Sequence, residues 1–318
     1  MKHIAAMGAF ALATLVASAT EPAAPKPLPD PEGVPEQLVT EDRRSAFLRR
    51  MADKASALGI KTAHFANPSG LTWNSRASAN DLLKLGMACA HHPVFSNIWC
   101  KVTATVEIKG PHARTVKLRH NYTDLAGWKA FTAKYPFLGG KGGSLGGAKH
   151  SVRAHVIVTA IAGKRYVFAI SGMKSSKDDP FGLDLEIAAS IKAALRGEKS
   201  PSTPLLDAHA AIGGGYAWSA FDGSRSHAGP NADKPHVPAS TSKMMTALCA
   251  LDAAGDSRTP VVVRQSDITR GSGIRCYEGD EFSFEDALTA MILSSSNTLA
   301  ETMSRQLMQV RRPRSCSR

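Results

Sequence analysis

The stretch that most constrains the fold is residues 238–248, which read Pro-Ala-Ser-Thr-Ser-Lys-Met-Met-Thr-Ala-Leu. It predicts a helix whose first turn contains both Ser240 and Lys243. Apolar residues at helical spacing follow Ser240, and Gly255 can end the helix. Residues three apart share a helix face, so the Ser240 hydroxyl and the Lys243 amine are expected within hydrogen-bond reach. A desolvated lysine can take the proton of a serine and make it a nucleophile. The same short motif also fits a serine N-cap followed by a solvated lysine.

Two further motifs accompany this stretch. Residues 294–297 read Ser-Ser-Ser-Asn, which places an S-x-N element at Ser295 and Asn297 between apolar helical segments. Residues 137–144 read Phe-Leu-Gly-Gly-Lys-Gly-Gly-Ser, a lysine-glycine element around Lys141 ahead of an alternating strand pattern. This element lacks the spacing of a phosphate-binding loop. Taken singly, the S-x-N residues also fit helix capping, and the lysine also fits a solvated loop.

Taken together, the three motifs resemble those of one group of enzymes. S-x-x-K, S-x-N and K-T-G are the signature of active-site-serine penicillin-binding proteins and class A β-lactamases. The flanking residues 237–247 and 65–71 resemble the low-molecular-mass D-alanyl-D-alanine carboxypeptidases in particular. The resemblance covers roughly residues 45–310. It implies an α/β (α+β) β-lactamase/transpeptidase-like fold, with an antiparallel sheet flanked by helices, an all-helical subdomain and a site in the cleft.

The order of the motifs differs from that of the family. There, S-x-x-K and S-x-N precede the Asn-Pro-Ser-Gly-Leu segment and K-T-G. Here residues 45–196 resemble the family's second half and residues 205–310 its first half. We therefore expect a single, circularly permuted domain over residues 45–310; a chain of two incomplete copies is the alternative.

The resemblance implies a role for each catalytic residue. Ser240 would attack the D-Ala-D-Ala bond and form an acyl-enzyme, and Lys243 would accept its proton. Ser295 would relay a proton toward the leaving amine. Asn297 would orient both Lys243 and the substrate amide.

The resemblance also implies a substrate-binding strand made of Lys141, Gly142, Gly143 and Ser144. Lys141 would place positive charge opposite the substrate's terminal carboxylate, and the backbone N–H groups of Ser240 and Ser144 would hold the oxyanion. Gly142 departs from the family, which has threonine or serine there. The lost hydrogen bond to a charged group costs about 1.5–3 kcal/mol. We therefore expect Gly142→Thr to raise hydrolysis, unless the Ser144 hydroxyl already substitutes.

The ends of the chain have their own patterns. Residues 1–19 read as a signal peptide, with a short basic start, an apolar run and a small-residue cleavage site. Residues 20–44 read as a proline-rich linker and residues 311–318 as a basic tail. The expected location is the periplasm or the cell wall of a bacterium.

Local patterns predict the main elements between these ends. They are a helix from Ser45 to Gly59, a helix after a capping box at Ser78 and Asp81, hairpins over 103–118 and 152–170, a helix over 181–195, two short strands within 208–221, a strand over 261–263 and a helix over 284–293.

Charge and cysteine spacing limit the partners. The net charge is +12, and residues 45–200 carry 23 lysines and arginines against 9 acidic residues. Such an excess suits an anionic partner, but no nucleic-acid-binding module pattern accompanies it. The five cysteines have no metal-binding spacing, so no metal or cofactor is expected, and Cys249 is expected to be a packed free thiol.

The expected ligands are the D-Ala-D-Ala end of a peptidoglycan stem peptide and β-lactams as covalent ligands, with no nucleic acid and at most peripheral membrane contact. Two other functions remain open. One is a catalytically weak or inactive cell-wall-binding relative of the family. The other is a β-lactamase, although no local motif positions the glutamate that deacylation there needs.

Overall fold

The computed structural model describes residues 36–146, 151–174, 179–254 and 259–307, and side chains from Arg44 onward. The predicted signal peptide, the linker up to residue 35, the tail over 311–318 and Gly255 lie outside the described residues.

The described residues form helices and strands that alternate along the chain. The helices are α1 Glu36–Ala57, α2 Ala79–His91, α3 Pro93–Trp99, α4 Trp128–Thr132, α5 Pro180–Arg196, α6 Pro204–Ala211, α7 Lys243–Ala254, α8 Phe284–Leu293 and α9 Asn297–Gln306. The strands are β1 Thr103–Lys109, β2 Arg114–Arg119, β3 Phe137–Gly146, β4 Ser151–Ile161, β5 Lys164–Met173, β6 Gly215–Ala220, β7 Ser226–Ala228, β8 Val261–Val262 and β9 Glu281–Phe282.

The strands form two antiparallel sheets. The larger one has the order β3-β4-β5-β6-β7, and a smaller one has the order β2-β1-β9-β8. Both predicted hairpins are confirmed, as β1–β2 and β4–β5. The predicted α/β class, with an antiparallel sheet flanked by helices, is confirmed as well.

The larger sheet joins the two stretches of the chain whose order differs from the family. Strand β5 lies in the first stretch and pairs with β6 of the second from Tyr166↔Ala220 to Ser171↔Gly215. The small sheet joins them too, because β1 pairs with β9. Circular permutation relative to the family stays a prediction.

Helices cover both faces of the larger sheet. Along β4, Val156 and Val158 pack into a core that also holds Met244 of α7, whereas Ile157 packs on the opposite face with Phe181 of α5. The strand therefore alternates between two apolar faces, as a central strand buried on both sides does.

Three element predictions need correction. Helix α1 begins at Glu36 rather than Ser45. Residues 204–211 form α6, because the Glu186 carboxylate accepts the N–H groups of Leu205 and Leu206 and caps a helix there. Of the two strands predicted within 208–221, one is observed, β6, and the next strand, β7, begins at Ser226. The capping box at Ser78 is confirmed.

The predicted helix at Ser240 starts with a 3₁₀ turn over Ala239–Ser242, and regular α-helix begins at Lys243. No helix within the described part of the chain is long and apolar enough to cross a lipid bilayer.

Candidate active site

Ser240 and Lys243 are hydrogen-bonded at the start of α7. The Lys243 amine donates to Asn297 Oδ1 at 2.8 Å and to the carbonyl of Ser69 at 2.6 Å, and it lies 2.9 Å from Ser240 Oγ. Lys243 is fully buried, while Ser240 is half-buried. Because two fixed oxygens accept its N–H groups, the amine is held in one orientation, with its remaining direction toward the serine hydroxyl.

The polar side chains of the S-x-N element have two different roles, helix capping and contact with the lysines. Ser296 is the N-cap of α9 and accepts the N–H of Leu299. The residues on either side of it, Ser295 and Asn297, instead contact the two lysines. Ser295 adopts a φ of 61°, a conformation uncommon for a non-glycine residue. The capping reading therefore applies to Ser296, and the two motif residues are turned toward the site.

Lys141 approaches from strand β3. Its amine donates to Ser295 Oγ at 3.0 Å and to the carbonyl of Gly142 at 2.8 Å, and its side chain is fully buried. The four residues Lys141, Ser240, Lys243 and Asn297 therefore surround one site, although they come from both stretches of the chain.

Two glycines allow the backbones around Ser240 to meet. A Cβ on Gly143 would lie 2.7 Å from the backbone N of Ser240, and one on Gly70 would overlap the carbonyl oxygen of Ala239. Gly70 also has a φ of +76°. Any side chain at either position would push β3 or the Asn-Pro-Ser-Gly-Leu turn away from the nucleophile.

A cavity of about 470 Å³ opens at this site. Its lining includes Ser240, Ser295, Asn297 and the backbone of β3 from Gly142 to Gly146. Neither Lys141 nor Lys243 is among the described residues that line it. Each amine instead contacts a hydroxyl that does line the cavity: Lys141 contacts that of Ser295, and Lys243 that of Ser240.

Burial changes the proton affinity of both lysines. It lowers the pKa of Lys141 to about 7. It also lowers the pKa of Lys243 well below its ordinary value, and the neighbouring charge of Lys141 lowers it further. A neutral Lys243 amine can accept a proton from Ser240, which a surface lysine at neutral pH does not do.

The structure shows a steric cost for Gly142→Thr, while its expected gain in hydrolysis stays a prediction. A Cβ on Gly142 would lie 2.7 Å from Cε1 of Tyr122. That ring is fully buried, and its hydroxyl donates to the carbonyl of Val156 at 2.7 Å, so it has little freedom to move. Tyr122 thus occupies the space beside residue 142, and a threonine there would be overpacked.

Sequence patterns missed several residues of the site. Ser69 lies in the recognised Asn-Pro-Ser-Gly-Leu turn, but only the fold shows that its carbonyl anchors Lys243. Tyr122 and the buried pair of His155 and Asp184, which line or adjoin the cavity, carry no motif. Within the described ranges, no group of three histidine, cysteine, aspartate or glutamate side chains could hold a metal ion.

Comparison with known proteins gives two matches. Residues 203–312 match the model of the Beta-lactamase enzyme family. Over 81 residues the chain is 36% identical to a D-alanyl-D-alanine endopeptidase of Pseudomonas aeruginosa. The aligned segment covers 25% of this chain and 23% of that protein. The match thus spans about a quarter of the relative's length. No solved structure matches. The family model thus covers about a third of this chain, and the relative about a quarter of it.

Proposed function

We propose that this protein is an exported serine D-alanyl-D-alanine carboxypeptidase that acts on peptidoglycan stem peptides through an acyl-enzyme at Ser240. One observation carries the proposal most directly: the amine of a buried lysine, Lys243, lies within hydrogen-bond distance of the hydroxyl of a half-buried serine at the edge of a cavity. The relative is named a D-alanyl-D-alanine endopeptidase, which supports a D-alanyl peptide bond as the bond that is cleaved.

Acylation follows from the contacts. Ser240 Oγ forms a bond to the carbonyl carbon of the D-Ala-D-Ala peptide bond, and its proton passes to the neutral amine of Lys243. The backbone N–H groups at Ser240 and Ser144 stabilise the oxyanion. The carbon–nitrogen bond then breaks, and the proton that Lys243 took from Ser240 passes to the leaving amine by way of the Ser295 hydroxyl, which returns Lys243 to its neutral form. The Lys141 amine holds the Ser295 hydroxyl in place for this transfer.

Deacylation completes the cycle. A water molecule gives one proton to Lys243 and attacks the ester carbonyl, and Ser240 recovers its proton as the ester bond breaks. A β-lactam would acylate Ser240 in the same way and leave slowly. The periplasm or cell wall, where peptidoglycan lies, is the proposed location.

A labelled penicillin tests the proposal. The protein is incubated with the label, and the adduct is mapped by mass spectrometry. We expect one adduct, on Ser240, and its loss in Ser240→Ala. Ser242→Ala is the matched control, because Ser242 lies in the same turn and its buried hydroxyl has no hydrogen-bond partner among the described residues.

Four outcomes separate the functions. Release of D-alanine from a stem pentapeptide supports the carboxypeptidase, whereas cleavage of cross-linked dimers alone points to the endopeptidase activity named for the relative. Rapid turnover of a chromogenic cephalosporin points to a β-lactamase. An unlabelled protein, or a label that survives Ser240→Ala, contradicts the acyl-enzyme and leaves a wall-binding role.

A further inference from the structure

A buried carboxylate lies behind the catalytic lysine, on the same helix as Asn297. Glu301 follows Asn297 by four residues in α9, so the two side chains share one face of the helix. The Glu301 side chain is 8% exposed, and it is not among the described residues that line the cavity. A buried carboxylate destabilises a fold unless it is paired and hydrogen-bonded, so the groups around Glu301 determine what it can do.

An arginine and a serine favour the charged form of the Glu301 carboxyl. The guanidinium of Arg44, on α1, lies 3.4 Å from Glu301 Oε2 and is half-exposed. Burial raises the pKa of the carboxyl, and the charge of Arg44 and a hydrogen bond from the Ser69 hydroxyl lower it. Asp267 also raises that pKa, although the Asp267 carboxylate has its own partner in Arg305 at 2.7 Å. Glu301 thus has one cation and one hydroxyl donor to stabilise its charge.

Ser69 connects this carboxylate to the catalytic base. Its hydroxyl bonds to the Glu301 side chain, and its carbonyl accepts the Lys243 amine at 2.6 Å. A separate contact also holds the turn, because the hydroxyl of Thr246 donates to the carbonyl of Pro68 at 2.6 Å. Loss of the Glu301 carboxylate would therefore release one side of Ser69 and leave the rest of the turn in place.

The charge of Glu301 also acts on Lys243 through space. Among the described residues, the charged groups that face the Lys243 amine are Lys141 from β3 and Glu301 from α9. Burial lowers the pKa of Lys243 most, Lys141 lowers it further, and Glu301 raises it. In turn, the charge of Lys243 favours the charged form of Glu301.

A carboxylate without direct contact suits a base that must take a proton and return it. The hydrogen-bond partners of the amine within the described part of the chain are neutral: Asn297 Oδ1, the Ser69 carbonyl and the Ser240 hydroxyl. A carboxylate in direct contact would keep the amine protonated, whereas burial alone would leave it too weak a base for a hydroxyl proton. Glu301, one residue removed from the amine, lies between these extremes.

We propose that Glu301 is a positioning residue, which makes Lys243 a strong enough base to take the proton of Ser240 during acylation. The proton moves from Ser240 Oγ to Lys243 Nζ as the bond to the carbonyl carbon forms. Arg44 keeps Glu301 charged, and Glu301 itself exchanges no proton in this step. The proposal rests on the proposed function for the acyl-enzyme, but the effect of Glu301 on Lys243 exists in the folded protein without a ligand.

The pH dependence of acylation tests this role. The second-order rate constant for labelling by a fluorescent penicillin is measured from about pH 5 to 9 in the full-length protein and in Glu301→Gln. The constant falls at low pH, because the Lys243 amine of the free protein becomes protonated. Without the carboxylate, we expect the midpoint of this fall to move lower by about one pH unit or more, and the plateau rate to drop because the base is weaker.

Three further variants separate charge from structure. Glu301→Asp keeps the charge, so its midpoint should shift less than that of Glu301→Gln. Glu301→Met removes the charge without leaving a buried amide, should shift like Glu301→Gln, and tests the role if that variant fails to fold. Glu285→Gln is the matched control, because Glu285 lies exposed on α8 beside Lys101, and its midpoint should not change.

The Lys243 amine is also measured directly, since Lys141 has a pKa of about 7 and can contribute to the same profile. The ¹³Cε signal of Lys243 is followed against pH in lysine-labelled protein without a ligand, and it is assigned by its loss in Lys243→Met. Its titration midpoint should move lower in Glu301→Gln by the same amount as the midpoint of labelling.

Equal Lys243 midpoints in the parent and in the neutral variants overturn the role of Glu301, as does a parent amine that is already neutral at the lowest pH measured. A labelled protein with equal midpoints would keep the peptidase and reject the role of Glu301. An unlabelled protein in which Lys243 titrates lower without Glu301 would keep the coupling of the two residues and reject the peptidase.

Discussion

At the scale of the residue, two buried lysines dominate the site. Lys141 and Lys243 have no exposed surface, and each amine is held by oxygen acceptors rather than by a carboxylate. The negative charge of Glu301 raises the pKa of Lys243, but less than burial lowers it. The site therefore keeps basic amines at the expense of folding stability.

This cost predicts how stability depends on pH. Lys141 has a pKa of about 7 in the folded chain and about 10.4 when unfolded. Between these values the unfolded chain binds a proton that the folded chain has released, so the free energy of unfolding should rise with pH, by up to about 1.4 kcal/mol per pH unit for each such lysine. Urea unfolding between pH 7 and 8.5 measures the slope.

Lys141→Met should flatten that slope, and exposed Lys134→Met should leave it unchanged. The range stops near pH 8.5 because the buried thiols of Cys89, Cys249 and Cys276 have raised pKa values and reverse the trend above it. A slope that is equal in Lys141→Met and in the parent would mean that Lys141 stays protonated in the folded protein.

At the scale of the element, strand β3 is shaped by what packs on each side of it. Gly143 lets it approach the Ser240 turn, and Gly142 accommodates the Tyr122 ring on the other face. Glycine lowers strand stability, so its repetition here is explained by close approach rather than by strand propensity.

Gly142→Ala is expected to destabilise the protein by about 1–3 kcal/mol, the usual cost of overpacking. The added methyl group would lie 2.7 Å from the Tyr122 ring. Thermal or urea unfolding measures the loss. Ser144→Thr, at an exposed position on the same strand, is the matched control and should change stability little.

Tyr122→Leu in the Gly142→Ala background tests the contact itself. The double variant should lose less stability than the sum of the two single losses, because the smaller side chain removes the clash. Additive losses would show that Tyr122 does not set the requirement for glycine.

At the scale of the whole molecule, two stretches of the chain build one site. Strands β5 and β6 join them over six residue pairs, and Thr246 donates to the carbonyl of Pro68 across the same boundary. The exposed connection over residues 197–203 is the covalent link between them. Noncovalent contacts of this extent should hold the stretches together without that link.

A protease site placed within residues 197–203 tests this. After cleavage, the two fragments should co-elute in size-exclusion chromatography without denaturant, unfold in a single transition and still form the Ser240 adduct. Uncleaved protein is the control. Fragments that separate in buffer would show that the two stretches are independent bodies, as the two-copy alternative requires.

The sequence alone determined the local features of this protein. Capping at Ser78, the β4–β5 hairpin and the position of α5 follow from short-range patterns, and the three motifs identified Lys141, Ser240 and Asn297 as candidates. Patterns of this kind act over a few residues, so the sequence is sufficient to read them. The helix α6 was missed, because the Glu186 cap decides it, and the start of α1 was missed with no structural explanation.

Only the tertiary structure decided how the candidates act. The lowered pKa of Lys141 depends on its complete burial. The need for glycine at position 142 depends on the Tyr122 ring, and the ring orientation of His155 depends on Asp184 from α5. Each of these effects joins residues that are distant in sequence and close in space. Desolvation, van der Waals overlap and hydrogen bonding vary with distances of ångströms, which spacing along a chain does not specify.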